Sequence, residues 1–274
     1  MRARVLTALV GGPLFIAALV AGHWWWTGLV VLVALLGLLE WYALAQRYFG
    51  RPLPADALFG GGLLLLALAY IAAGEPVAAP GFGVGAAVFA VTLYTLVRTT
   101  FWAPRRPMAA GAAVVLGILY VAGLLSHFLL LRALSPHGLA LTLLAVAGTW
   151  ATDTGAFFAG RALGGRLLAP EISPGKTVSG AVGGWVSGFV VVLLGGVLWA
   201  AIPLTRTLVL AVAVPLLSQV GDLLESAIKR EAGLKDTGRL LPGHGGVLDR
   251  FDSLLLVIPA VYYLWVYIIQ WLPA

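Results

Sequence analysis

The 274-residue chain contains no cysteine. That absence excludes disulfides and thiolate metal sites, so any bound metal must be held by oxygen or by one of four histidines. Charge is scarce as well. Asp, Glu, Lys and Arg make up 10% of residues, against about 25% in an ordinary soluble domain. No polar stretch is long enough for a soluble domain of any size. What is present is apolar sequence, 61% of the whole. Runs near the roughly 17–25 residues needed to cross a bilayer recur nine times, at about 5–22, 24–45, 57–73, 82–97, 108–131, 138–158, 178–202, 207–228 and 254–272. The expected fold class is an all-α polytopic membrane protein with about nine transmembrane helices and a cytoplasmic-facing charged site.

The opening MRAR and its apolar run could pass for a signal peptide. A second apolar stretch follows almost at once with no convincing small-residue cleavage site between them, so an uncleaved first span is expected. The formal charge of +6 says less than its placement. With a cytoplasmic N-terminus and alternating spans, the cytoplasmic side receives Arg2, Arg4, Arg47, Arg51, Arg98, Arg105, Arg106, Arg161, Arg166, Lys176, Lys229, Arg230, Lys235, Arg239 and Arg250. These are fifteen of the seventeen basic residues, and only Arg132 and Arg206 fall outside. The positive-inside rule then sets the orientation. An integral protein of a bacterial cytoplasmic (inner) membrane is expected, with N-terminus and site on the cytoplasmic side.

Residues 1–110 read as an N-terminal scaffold of about four spans, and 111–274 as a C-terminal catalytic region of about five. In the scaffold, Trp24, Trp25 and Trp26 beside His23 resemble an interfacial aromatic anchor. Gly60, Gly61 and Gly62 mark a place where helices could pack closely. Glu40 stands apart. An intramembrane carboxylate is a functional hypothesis by default, yet its position near the end of a span also lets it simply reach water.

Two long charged loops, about 159–177 and 229–253, set the C-terminal region apart, and loops of such length in a compact protein are usually functional. Just before the second loop, Ser218, Asp222, Glu225 and Lys229 fall at helical spacing along one face of span eight. An apolar helix turns such a stripe to water, a cavity or partners, because a lipid-facing aspartate is costly. The bland alternative is an aspartate satisfied by Lys229 or by a neighbouring helix. Beyond it, Gly238, Pro242, Gly243, Gly245 and Gly246 forbid a continuous helix, and glycine-rich backbone can present amides to phosphate oxygens. Lys229, Arg230, Lys235, Arg239 and Arg250 surround that loop with the charges phosphate recognition uses. The interleaved Asp236, Asp249 and Asp252 argue against a mere topology signal. Asp249 and Asp252 are one turn apart if span nine begins there, and with Asp222 they could gather several carboxylates near one point. Such a cluster needs protons or a cation, and with phosphates expected the cation would be Mg²⁺. His244 is a weaker candidate, better suited to a phosphate or loop contact than to metal.

The middle of the chain adds Asp153, one turn from Thr149, and the segment Ser173-Pro-Gly-Lys176-Thr177. Lys176-Thr177 lacks the glycine spacing and preceding strand of a Walker A loop. A lysine and a hydroxyl at a helix N-terminus still suit phosphate.

Residues 226–252, SAIKREAGLKDTGRLLPGHGGVLDRFD, resemble the signature of the phosphatidate cytidylyltransferases (CDP-diacylglycerol synthases). Ser226, Lys229, Arg230, Lys235, Asp236, Gly238, Pro242, His244, Gly245, Gly246, Asp249, Arg250 and Asp252 match in identity and spacing. Asp153-Thr-Gly-Ala, Gly160-Arg161 and the Ser-Pro-x-Lys-Thr element look similar too. The specific resemblance covers roughly 148–252; the N-terminal third matches in character only. It implies transfer of a cytidylyl group from CTP to phosphatidic acid, with release of pyrophosphate. On this resemblance Asp222 and Asp249 are the expected metal ligands, with Asp252, Asp236 and Asp153 as second choices. Lys176, Lys229, Arg230, Lys235 and Arg250 would hold CTP or lipid phosphates, beside Ser173, Thr177 and Ser226, and the His244-Gly245-Gly246 turn would line the pocket. Within that set, Asp222, Asp249, Lys229 and Arg250 are the expected catalytic groups. The implied cofactor is Mg²⁺, with a second cation left open, and a homodimer is expected by analogy alone.

Three other readings compete. An ion-coupled transporter would suit Asp153 and Asp222, but no second copy of the charged signature appears in the first half. A CDP-alcohol phosphotransferase would need an Asp-Gly-x-x-Ala-Arg segment, which is missing. A cytidylyltransferase for another lipid phosphate, such as an ether lipid, differs only in apolar contacts that carry no recognisable code.

Overall fold

The computed structural model describes residues 2–50, 53–74, 91–101, 107–238 and 245–273, with side chains from Leu9 onward except that of Pro107. Arg51, Arg105, Arg106, Arg239, Pro242, Gly243 and His244 lie outside the described residues. The described residues are mostly helical: α1 (Arg2–Ala21), α2 (His23–Phe49), α3 (Ala55–Gly74), α4 (91–101), α5 (Pro107–Gly117), α6 (Leu124–Ala133), α7 (Gly138–Leu163), α8 (Val178–Leu194), α9 (Leu204–Glu231) and α10 (Leu248–Tyr267). A π-helical turn, Ile118–Gly123, joins α5 to α6, and another, Gly195–Trp199, extends α8. Between α7 and α8 lies an antiparallel pair, β1 (Leu167–Ala169) and β2 (Ser173–Thr177), with Leu167 opposite Thr177.

Among the described residues, six helical segments are long and apolar enough to cross a membrane: His23–Phe49, Ala55–Gly74, Met108–Ala133, Val178–Trp199, Leu204–Glu231 and Leu248–Trp271. The fold is that of an all-α polytopic membrane protein. Six is fewer than the nine runs of the sequence, for local reasons. In α1 only the shorter stretch Leu9–Ala21 qualifies as apolar helix, and half of 82–97 lies outside the described residues. The 26-residue α7 is long enough, but Thr149, Thr152, Asp153, Thr154 and Arg161 dilute it from its middle onward.

The chain divides into two compact units, Met1–Ala133 with Glu231–Arg250, and Leu134–Arg230 with Phe251–Ala274. In the first unit, Trp26 donates its indole N–H to the Phe128 carbonyl at 3.1 Å, and Phe15 packs edge-on against both rings. The three tryptophans thus split. Trp24 and Trp25 are exposed, whereas Trp26 belongs to the core, because successive residues on a helix point about 100° apart. Gly61 and Gly62 press against Ile118, Val91 and Leu38, while Gly60 faces open space.

In the second unit α7 and α8 pack at glycine distance. Gly155 sits against Ser187, Gly183 against Ala159, Gly184 against Ala156 and the Thr152 carbonyl, and Gly188 against Thr152 and Pro215. Such small-residue faces let backbones approach where no hydrophobic drive between helices exists. The two bases outside the positive-inside pattern are tied to helix ends. Arg132 Nε donates to the Leu19 carbonyl near the end of α1 at 3.0 Å. Arg206 donates twice to the Leu272 carbonyl beyond α10, at 3.0 and 2.8 Å. Cations at helix C-termini complement the dipole and the unmade carbonyl bonds.

Candidate active site

The second unit holds a cavity of about 440 Å³ bordered by α7, the β hairpin and α9. From α7 come Thr152, Asp153, Phe157 and Arg161; from the hairpin, Lys176 and Thr177; from α9, Gln219, Asp222 and Leu223. The hairpin delivers Lys176 to the start of α8. Thr177 is the N-cap of α8 in extended backbone, and its Oγ1 accepts from the Gly180 N–H at 3.1 Å. Thr177 therefore meets a helix N-terminus, as the sequence suggested, and its oxygen serves the helix itself.

Lys176 Nζ lies 2.5 Å from Asp222 Oδ2, with both side chains about one-third exposed. Ser226 Oγ approaches Asp222 Oδ1 at 3.4 Å, one turn along α9. Lys229 pairs instead with Glu225, at 3.5 Å, and both are buried. The base that meets Asp222 thus comes from the hairpin, while the base on its own helix serves the deeper carboxylate. Arg230 Nε donates to the Ile172 carbonyl at 3.2 Å, tying the end of α9 to the hairpin turn, and Ser173 is half-buried at the start of β2. Asp252, half-buried on α10, lies within electrostatic reach of Asp222 and Lys229 and contacts Glu225. This arrangement depends on Gly221, where α9 meets the Asp252–Ser253 backbone directly.

In the first unit, three donors converge on Asp249 Oδ2: the Thr237 N–H at 2.9 Å, Thr237 Oγ1 at 3.0 Å and the Gly246 N–H at 2.8 Å. Gly245 has φ +81°, a left-handed conformation that favours glycine, and a Cβ there would fall 2.7 Å from Asp249 Oδ2. Lys235 and Asp236 are exposed and border a second cavity of about 470 Å³ with Arg47. Arg250 is exposed in the first turn of α10. Glu40, expected to be able to reach water, is 4% exposed and bonded within the protein.

Among the described residues no group of three or more His, Asp or Glu side chains forms a metal cage. The donor set fits Mg²⁺ nonetheless. That ion binds through one or two carboxylates and takes its remaining oxygens from water and substrate phosphates, and Asp222 with Asp252 supplies oxygen donors without a thiol or imidazole beside them. Two polar cavity residues escaped the sequence reading. Gln219, three positions before Asp222, shares its helical face and donates to the Ala181 carbonyl at 3.1 Å; counting only the charged stripe passed over it. Thr152 was hidden beside the more conspicuous Asp153.

The cytidylyltransferase family model matches residues 2–268. The chain belongs to that family. A Bacillus subtilis protein named phosphatidate cytidylyltransferase is 42% identical over 65% of this chain and 66% of its own length. A Haemophilus influenzae protein of the same name is 43% identical over 48% of each chain, so the matched segment spans about half of that relative. A Brucella suis protein, again of that name, is 36% identical over 96% of this chain and 92% of its own. The similarity therefore includes the N-terminal third, where the signature residues are absent. The chain is an integral membrane protein, with bacterial relatives.

Proposed function

We propose that this protein transfers the cytidylyl group of CTP to phosphatidate, forming CDP-diacylglycerol and pyrophosphate in phospholipid biosynthesis. The observation that carries the reading is family membership over residues 2–268. The cavity joining Lys176, Asp222, Asp153 and Arg161 in one lining supports it.

In this reaction an oxygen of the lipid phosphate attacks the α-phosphorus of CTP. A new P–O bond forms, the bond to the β-phosphate bridging oxygen breaks, and pyrophosphate leaves with the electron pair. The lipid phosphate is already ionised near neutral pH, so no side chain need remove a proton. The main task is to bring two anions together. Lys176 and Arg161 supply positive charge at the cavity, and Lys229, Arg230, Lys235 and Arg250 are the other bases assigned to phosphates. Ser173, Thr177, Ser226, Asp236 and Asp153 are assigned to substrate contacts, as is the His244-Gly245-Gly246 turn. Mg²⁺ is the proposed cofactor; Asp222 in the second unit and Asp249 in the first are each proposed as a ligand, and a bound ion would neutralise phosphate charge and polarise the phosphoryl oxygens.

The bias of fifteen bases to one side supports a cytoplasmic N-terminus and site in the bacterial inner membrane. The homodimer expected by analogy draws no support from Gly183, Gly184 and Gly188, whose faces are occupied within the chain; a mass measurement in detergent tests it. The activity test is mass spectrometry of the lipid product from purified protein with CTP and a panel of diacyl and ether-linked lipid phosphates. CDP-diacylglycerol from the diacyl substrate supports the reading. Turnover of ether lipids alone would replace the substrate, and no product from folded protein would remove the activity.

A further inference from the structure

Glu40 has no part in the chemistry above, yet it is the one carboxylate of α2 and is fully engaged. It lies within a segment apolar enough to cross a membrane, where an unsatisfied charge is costly. Its Oε1 accepts from the Val247 N–H at 2.7 Å, and its Oε2 accepts from the Leu248 N–H at 2.9 Å and from Thr237 Oγ1 at 3.2 Å. Leu248 opens α10. Glu40 thus caps that helix from 208 positions away in sequence, satisfying N–H groups that have no intrahelical partner and placing negative charge at the positive end of the dipole.

The same carboxylate explains two glycines of the signature. A Cβ at Gly246 would collide with Glu40 Oε2, and one at Gly238 would fall 2.5 Å from Oε1. These glycines make room for Glu40, a constraint separate from any contact with substrate. Thr237 completes the connection. Its hydroxyl, with one proton to donate, lies 3.2 Å from Glu40 Oε2 and 3.0 Å from Asp249 Oδ2, so that proton is shared between the two carboxylates.

We infer that Glu40 is a positioning residue of the active site: it fixes the start of α10 and, through Thr237, the orientation of the Asp249 carboxylate. The inference rests on the proposed role of Asp249 in cytidylyl transfer. A merely structural Glu40 would affect melting but not the turnover of folded protein.

The test combines amide hydrogen exchange with steady-state kinetics on purified Glu40→Gln and Thr237→Val, beside wild type and Asp249→Asn. In Glu40→Gln the Val247 and Leu248 amides should exchange faster while the other helices keep their protection. Its kcat should fall about 10–100-fold with the KM for CTP within about threefold of wild type, the pattern of a misplaced reacting group rather than lost binding. Thr237→Val should keep the α10 cap and still lose about tenfold in kcat. Unchanged exchange at Val247 and Leu248 in Glu40→Gln, or wild-type kcat in Thr237→Val, overturns the inference. Should Glu40→Gln not fold, Thr237→Val decides alone. A wild-type protein without product would sink the reading of the site, whereas an active wild type with unaltered variants would sink only the role of Glu40.

Discussion

Gly221→Ala should damage stability and turnover together, although Gly221 itself touches no substrate. An added Cβ would lie 2.9 Å from the Asp252 carbonyl oxygen and 3.1 Å from both Cα and O of Ser253. Ordinary contact begins near 3.4 Å, so α9 and α10 must separate by roughly half an ångström. All three neighbours are backbone atoms, so no rotamer change relieves the clash. Overpacking of this kind costs about 1–3 kcal/mol. The displacement also moves Asp222, next in sequence, relative to Asp252. A 1 Å misplacement can cost about a hundredfold in rate, so about half that shift should cost about tenfold. The assay is thermal unfolding in detergent together with kcat, and Gly60→Ala is the control, since no atom lies within 4 Å of that Cβ position. Gly60→Ala should match wild type or gain up to about 1 kcal/mol from helix propensity. Wild-type melting and turnover in Gly221→Ala would refute the packing argument. Equal damage in Gly60→Ala would show that loss of glycine, not this contact, is responsible.

Three further outcomes follow from the same geometry. Lys229→Met takes the cationic partner from Glu225, which is 1% exposed, and should destabilise by about 3–5 kcal/mol; unfolding of the variant beside the double variant Lys229→Met/Glu225→Leu checks this, with recovery expected in the double. Thr177→Val removes the α8 cap and should cost about 1 kcal/mol of stability, measured by the same unfolding assay. Arg206→Ala leaves the Leu272 carbonyl without its two charged donors and should cost about 1.5–3 kcal/mol, with the loss of protection in hydrogen exchange confined to the C-terminal turn.

The membrane-spanning character was legible because apolar length is a one-dimensional property that a bilayer enforces directly, although six of the described helical segments, not nine, are long and apolar enough to cross. Several residues that line the candidate cavity were legible for the opposite reason: charge in so apolar a chain needs a use, and the stripe from Ser218 to Lys229 announced itself by period. Pairing was not. Periodicity offered Lys229 as the partner of Asp222, but Lys176, from a hairpin hidden inside a charged loop, takes that place, and Lys229 goes to Glu225. Glu40 illustrates the limit most clearly. Its isolation within α2 gave no hint of its partners, because two of the three are backbone N–H groups some two hundred positions away, and every residue except proline carries such a group. The glycines that make room for it were instead read as ligand-approach residues, since an absent side chain does not say what fills its space.

Cytidylyl transfer at a site containing Asp222 is open to direct test by pyrophosphate release. Purified protein in detergent would be given CTP with and without phosphatidic acid, with and without Mg²⁺, beside Asp222→Asn. Release should require both lipid and metal and fall by at least about a hundredfold in the variant. Release without lipid, or an Asp222→Asn protein as active as wild type, would contradict the assignment.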